Sequence, residues 1–218
     1  MHSEKRKILW MLTAVVGILL MVEILGLFSN LNMHVYMLTP LVKSPGIGLI
    51  TDSASFGIFI VYVLIFIVWD IRRSRNKKLS RSTLNFIVSL FLGMAIVGVL
   101  KVLIEVPRPD EAPLSLPLFQ AMLNADYFAF PSGHTARASI LACFLSERFP
   151  KYKPIWWAYA ILVAFSRLFL HVHWFSDVLF SLILGPWIFM MVETTEGAWL
   201  SLYKTLIKKL GLEMLDVT

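Results

Sequence analysis

Residues 83–104 read TLNFIVSLFLGMAIVGVLKVLI, and two features of this run decide the fold. It is apolar over the length of about 20 residues that a helix needs to cross a hydrocarbon core. It also carries Lys101 near its end, and an ionisable group inside a membrane helix is costly enough to mark a functional position by default. Working outward, five further apolar blocks place spans at about 8–28, 54–70, 133–149, 155–172 and 175–195. The expected architecture is all-α: a six-transmembrane-helix bundle forming a single membrane domain over 1–218. Composition agrees, since 58% of the 218 residues are hydrophobic and only 16% are charged, too few to cover a soluble core.

The net charge of +6 does not indicate nucleic acid, because the basic residues cluster beside the apolar blocks. Lys5, Arg6 and Lys7 precede the first span, and Arg72, Arg73, Arg75, Lys77, Lys78 and Arg81 follow the second. Arg148, Lys151 and Lys153 follow the fourth, and Lys204, Lys208 and Lys209 lie in the tail. Positive charge marks the cytoplasmic side, so both termini are expected there. The connections at 29–53, 105–132 and 173–175 then face the other side. The basic N-terminus runs into its apolar block with no small-residue cleavage site, which reads as a first span and not a removable signal. Residues 29–53, broken by Pro40, Pro45 and Gly46, suit a partly interfacial stretch. The tail at 198–215 reads either as an amphipathic surface helix or as a solvated tail. Cys143 excludes an intrachain disulfide and reads as a packing residue.

The ionisable residues within or beside spans are Glu23, Lys101, Arg137, Arg167 and Asp177, with Arg108, His134, His171 and His173 at the edges. Under this topology all but Glu23 collect at the non-cytoplasmic membrane face. A cluster so rich in positive charge repels itself unless it holds an anion, and phosphate fits best. Arg presents a planar fork to its oxygens and Lys a point charge. Pro131-Ser132-Gly133-His134 opens a helix, with Ser132 as the N-cap, Gly133 allowing close approach and free amides facing the anion. Asp177 lies one helical turn after His173 and orients it as a nucleophile. His134 is then left to protonate the departing alkoxide and to activate water. Lys101, Arg108, Ser132, Gly133 and Arg167 complete the phosphate site. His171 is the rival nucleophile, but lacks an aspartate at that spacing. Glu23 reads as an interhelical hydrogen-bonding group, and Trp156, Trp157, Trp174 and Trp187 as interface anchors or packing groups.

These residues form three blocks: Lys101 with Arg108-Pro109, then Pro131-Ser132-Gly133-His134, then Ser166-Arg167 with His173 and Asp177. In this order and spacing they resemble the type 2 phosphatidic acid phosphatase superfamily of membrane lipid phosphate phosphatases. The resemblance implies the same roles: Lys101, Arg108, Ser132, Gly133 and Arg167 on phosphate, His173 as nucleophile, Asp177 as its partner and His134 as acid and base. It also implies no metal and no cofactor. The run His134-Thr135-Ala136-Arg137-Ala138 is similar to members acting on polyisoprenyl diphosphates, where Arg137 would meet a second phosphate. Arg137 reads equally well as a partner for Asp126. The expected activity is hydrolysis of a lipid phosphate whose tail stays among the membrane lipids. A polyisoprenyl (di)phosphate is the first choice of substrate, and phosphatidic acid or phosphatidylglycerol phosphate the second. Two other classes compete: a non-catalytic lipid-binding or transport protein, which needs no His173, Asp177 and His134 set, and a vanadate-dependent oxidase, which is expected to be soluble.

Overall fold

The computed structural model describes residues 2–114, 117–212 and 215–217, and these residues are helical with no strand among them. Ten α-helices follow one another: α1 (His2–Ile24), α2 (Ser29–Leu38), α3 (Pro45–Asp52), α4 (Phe56–Arg73), α5 (Arg81–Ile104), α6 (Leu118–Leu123), α7 (Gly133–Arg148), α8 (Lys153–Phe169), α9 (Phe175–Thr194) and α10 (Glu196–Lys209). Serines start four of them. Ser44, Ser55, Ser80 and Ser132 cap α3, α4, α5 and α7 by accepting an amide from the third residue onward. Left-handed residues end others: Gly26 (φ 68°) follows α1, Glu105 (φ 51°) ends α5 and His171 (φ 53°) follows α8. The turn at Gly26 stops the first helix at Ile24, short of the Phe28 expected from hydropathy alone. The 29–53 stretch carries two helices, α2 and α3, and α3 meets α4 at a 55° bend.

Among the described residues, α1 from Glu4, α5 and α9 are each long and apolar enough to cross a membrane alone, and the bent α3–α4 pair passes together. Trp10, Met21, Phe91 and Leu103 are each more than 60% exposed on these helices. Apolar exposure on that scale suits contact with hydrocarbon and not with water. The centre is different. Helix α7 buries nine side chains from Thr135 to Phe144, packed against α5, α8 and α9. Phe86 stacks on Phe144 at 4.5 Å, with Phe66 edge-on to Phe144 at 4.7 Å.

One end of the bundle is held by ion pairs. Lys5 of α1 reaches Glu193 of α9 at 3.1 Å, and Arg81 of α5 reaches Glu196 of α10 at 3.2 Å. Arg148, at the end of α7, pairs with buried Asp70 and also donates to Ser80 and Thr83. Lys78 pairs with Asp216 at 2.5 Å, joining the α4–α5 connection to the tail. Several of the basic residues expected to set topology are thus neutralised within the fold.

The other end depends on how closely α7 and α9 approach. A Cβ added to Gly185 would lie 2.0 Å from Ser139 Oγ and 3.0 Å from the Ile140 amide nitrogen. Ser139 uses that proximity to donate to the Ser181 carbonyl at 3.0 Å. Because one contact is backbone, no rotamer change relieves it, and the helices must separate. Gly185→Ala is therefore expected to destabilise the protein by about 1–3 kcal/mol, lowering the unfolding temperature in detergent. Gly57→Ala, where the added Cβ meets nothing within 4 Å, serves as the neutral control. Equal melting temperatures for the two variants would contradict this packing.

Candidate active site

The end of the bundle opposite the ion pairs gathers the ends of α5, α7, α8 and α9. Lys101 is buried in the last turn of α5, and its ammonium donates to the Phe128 carbonyl. Beyond α5 the chain doubles back. Pro107 and Phe128 form an antiparallel bridge, and Ala129 donates to Val106 at 2.7 Å. That pairing carries Arg108 over the helix end, where it donates to the Asp126 carbonyl. Arg167, in the last turn of α8, donates to Thr51 Oγ1 at 2.5 Å. His173 sits in the turn between α8 and α9, and Asp177 in the first turn of α9.

Lys101, Arg108, Gly133, His134, Arg137, Arg167 and His173 all line one cavity of about 300 Å³, with Asp126 beside them. The charge in this cavity is only partly balanced, with the Asp126 carboxylate set against four cationic side chains. Among the described residues, none of Lys101, Arg108, Arg137 and Arg167 has a carboxylate within ion-pair distance. The Nε atoms of Arg108 and Arg167 are buried without an acceptor. A buried donor left unpaired costs about 1–3 kcal/mol, and more when charged. At the start of α7 the amides of Gly133 and His134 likewise have no acceptor among the described residues, as expected for the first turn of a helix. Arg108 from a loop, Arg167 from α8 and the first turn of α7 thus bring cationic and amide donors to the wall of one cavity, an arrangement suited to an anion with several oxygens.

The histidines stand at its wall. His173 Nδ1 lies 3.2 Å from Asp177 Oδ2, which also accepts the Trp174 amide at 2.7 Å. With Nδ1 donating to that carboxylate, Nε2 carries the lone pair. Burial, reinforced by the charges of Arg167, Lys101 and Arg108, holds the His173 imidazole well below its usual range. The ring therefore stays neutral, as a nucleophile must. His134 faces the same cavity from α7. His171 turns away: its Nε2 lies 2.9 Å from the Thr39 carbonyl and its ring packs on Tyr36 at 4.5 Å.

Two expected residues depart from a simple lining role. Ser132 is fully buried, and its hydroxyl accepts from the Thr135 amide at 3.5 Å and the Thr135 hydroxyl at 3.0 Å. It caps α7 and does not line the cavity. Arg137 pairs with no carboxylate. Its Nε donates to the Ala54 carbonyl at 2.9 Å and its Nη1 to Met94 sulfur at 3.2 Å, while the residue lines the cavity. Sequence reasoning missed the supports behind the site. Asn32 of α2 accepts the Ser176 amide and donates to its hydroxyl, both at 2.9 Å. Trp174, read as an interface anchor or packing group, donates its indole N–H to the Pro107 carbonyl at 2.8 Å.

The chain is thus an apolar helical bundle with a cationic cavity and two histidines gathered at one end. The PAP2 superfamily model matches residues 82–195, a stretch running from the start of α5 through α9. The chain belongs to the PAP2 superfamily. It is similar to phosphatidylglycerophosphatase B of Bacillus subtilis (strain 168), at 37% identity over 106 residues that cover 44% of this chain and 48% of the relative. The chain thus matches about half the length of that curated relative. Among solved structures, the transmembrane PAP2 type phosphatidylglycerolphosphate phosphatase from Bacillus subtilis superposes with a TM-score of 0.67 at 25% identity, covering 87% of this chain and 96% of that one. LpxE of Aquifex aeolicus shares the fold at a TM-score of 0.58 and 22% identity, covering 74% and 94%. These similarities and the apolar helices define a multi-pass membrane protein.

The unpaired donors predict that the resting protein takes up a tetrahedral anion. Saturating inorganic phosphate or orthovanadate is expected to raise the unfolding temperature in detergent, by the equivalent of about 2.7 kcal/mol at a hundredfold excess over Kd. Arg167→Gln should abolish most of that rise. An equal rise in the variant, or none in the wild type, would place the anion elsewhere.

Proposed function

We propose that this protein hydrolyses a phosphate monoester on a membrane lipid through a phosphohistidine at His173, without a metal. The observation that carries the reading is an imidazole 3.2 Å from the Asp177 carboxylate, on the wall of a cavity whose arginines have no carboxylate within ion-pair distance among the described residues. His173 Nε2 attacks phosphorus as the ester P–O bond breaks, and His134, held as an imidazolium beside the bound phosphate, gives a proton to the departing alkoxide and becomes neutral. Water, deprotonated by His134, then attacks the phosphohistidine. The P–N bond breaks, inorganic phosphate leaves, and both histidines return to their starting states. Lys101, Arg108, Arg167 and the α7 amides hold the phosphoryl oxygens throughout and stabilise the charge that builds on them. Ser132 serves by fixing the end of α7. The positive charge a metal would bring is supplied by these side chains.

Six crossings by α1, α4, α5, α7, α8 and α9 complete the proposal. Helix α7, at 16 residues, is about 24 Å long, short for a lipid-facing span but suited to one enclosed by its neighbours. The basic connections put both termini in the cytoplasm and the cavity on the other face. For the substrate, the named activity of the Bacillus subtilis relatives favours a glycerolipid monophosphate of the phosphatidylglycerophosphate type. A polyisoprenyl diphosphate is the second reading, and rests on Arg137, which lines the cavity together with the residues of the phosphate site.

Purified protein with EDTA present is expected to release phosphate from a lipid panel, fastest from the glycerolipid monophosphate. His173→Ala should fall to background, and His134→Ala should lose on the order of 10²–10⁴-fold in kcat. Release that persists in His173→Ala, or requires added divalent metal, would sink the mechanism. The depressed pKa of His173 keeps its nucleophilic neutral form down to lower pH than an ordinary histidine near 6.5 allows. Activity limited by this ring should therefore stay level as pH falls through about 6.5, and a His173-dependent loss centred there would contradict its burial. Topology is checked by impermeant maleimide on Glu111→Cys and Lys77→Cys, each in a Cys143→Ala background. In intact cells only the first should react; the reverse pattern inverts the orientation.

A further inference from the structure

The charged cavity continues into apolar space along α5, where Met94, Val97 and Gly98 form part of its wall. Two apolar grooves share pieces of that wall. One lies between α4 and α5, holds about 130 Å³ and meets the cavity only at Met94 and Arg137. There Arg137 Nη1 sits 3.2 Å from Met94 sulfur, so both residues at the junction are held to each other. The other groove runs along Ala95, Gly98, Val99 and Val102 of α5 beside Met122 of α6, and holds about 400 Å³. It shares Met94, Gly98 and Ala125 with the cavity.

Gly98 is the sill between the two compartments. A Cβ built there meets nothing within 4 Å, so the boundary is uncrowded at this point, between Met94 and Ala125 which line both compartments. The groove is open on its far side, with Val99 57%, Leu103 69% and Met122 62% exposed. Its volume lies within the range of about 300–1,000 Å³ usual for small-molecule sites, whereas the α4–α5 groove falls below it. No charged or hydrogen-bonding side chain lines it.

We propose that the α5–α6 groove binds the hydrocarbon chain of the lipid substrate, with Gly98 as the threshold over which the phosphate passes from the bilayer into the cavity. This deepens the phosphatase reading and rests on it. Lipid tails are as apolar as the groove, so transfer out of the bilayer supplies little affinity. What the groove supplies is position: it holds the chain so that the phosphate is aimed at His173. The effect is expected in kcat/KM for long-chain esters and not for small ones.

Ala95 and Val99 face the groove, are exposed, and do not line the charged cavity. Ala95→Trp and Val99→Trp therefore fill the groove without touching the phosphate site. Each is expected to lower kcat/KM at least tenfold on a long-chain phosphatidylglycerophosphate, while changing it less than twofold on water-soluble p-nitrophenyl phosphate. Equal losses on both esters, or no loss on either, would overturn the assignment. The second arm uses a non-hydrolysable phosphonate lipid carrying a diazirine on its chain. Photolysis is expected to attach it within 95–103 or at Met122; attachment confined to residues 56–64 and 90–91 would move the chain to the α4–α5 groove and overturn the proposal. Cross-linking needs no turnover. A wild type inert toward both esters would thus refute the phosphatase reading, while the attachment site still decides the groove.

Discussion

Mutual repulsion among Lys101, Arg108, Arg137 and Arg167 is the constraint around which the rest of the structure is organised. Four cationic side chains line a cavity of about 300 Å³ with no carboxylate within ion-pair distance among the described residues. Charges of one sign taken out of water are tolerated only when something else holds them in place. Here that hold comes from neutral oxygens: the Phe128, Asp126 and Ala54 carbonyls and the Thr51 hydroxyl. Such acceptors orient the donors without cancelling their charge. The field is therefore left for an incoming oxyanion, already arranged and with little reorganisation required when it arrives.

Rigidity comes from the helices. The cavity is formed where α5 and α8 end and α7 and α9 begin, so its geometry follows from interhelical spacing. Gly185 lets α7 and α9 approach until Ser139 reaches the Ser181 carbonyl, and this contact lies on the same helix pair that carries His134 and Asp177. The ion pairs Lys5–Glu193 and Arg148–Asp70 close the opposite end. Neutralised charge at one end and uncompensated charge at the other give the bundle an electrical asymmetry along its axis. The phosphate chemistry proposed above belongs to the uncompensated end.

Much of this was legible in the sequence because the membrane makes charge conspicuous. Lys101, Arg167 and Asp177 stand out within apolar runs, and alternating helix direction brings them to one face once the spans are placed. The spacing of His173 and Asp177 foretold a contact that the structure shows at 3.2 Å. What was not legible shares a physical cause. The partners of Lys101 and Arg108 are backbone carbonyls, which carry no side-chain signature. Asn32 and Thr51 lie in a stretch read only as interfacial, and their roles depend on α2 and α3 folding back to meet α9 and α8. Ser132 was read both as the cap of α7 and as a phosphate ligand; its hydroxyl accepts from the Thr135 amide and hydroxyl, which is the cap. The end of α1 was misplaced because a left-handed Gly26 overrides continuous hydropathy.

The most direct test of the central claim is to find the covalent intermediate and its atom. Protein quenched in alkali during turnover, digested and sequenced by mass spectrometry is expected to carry phosphate on His173, with ³¹P–¹⁵N correlation placing it on Nε2 and leaving Nδ1 to Asp177. Phosphate found on His134 or His171, or on Nδ1 of His173, would contradict the account.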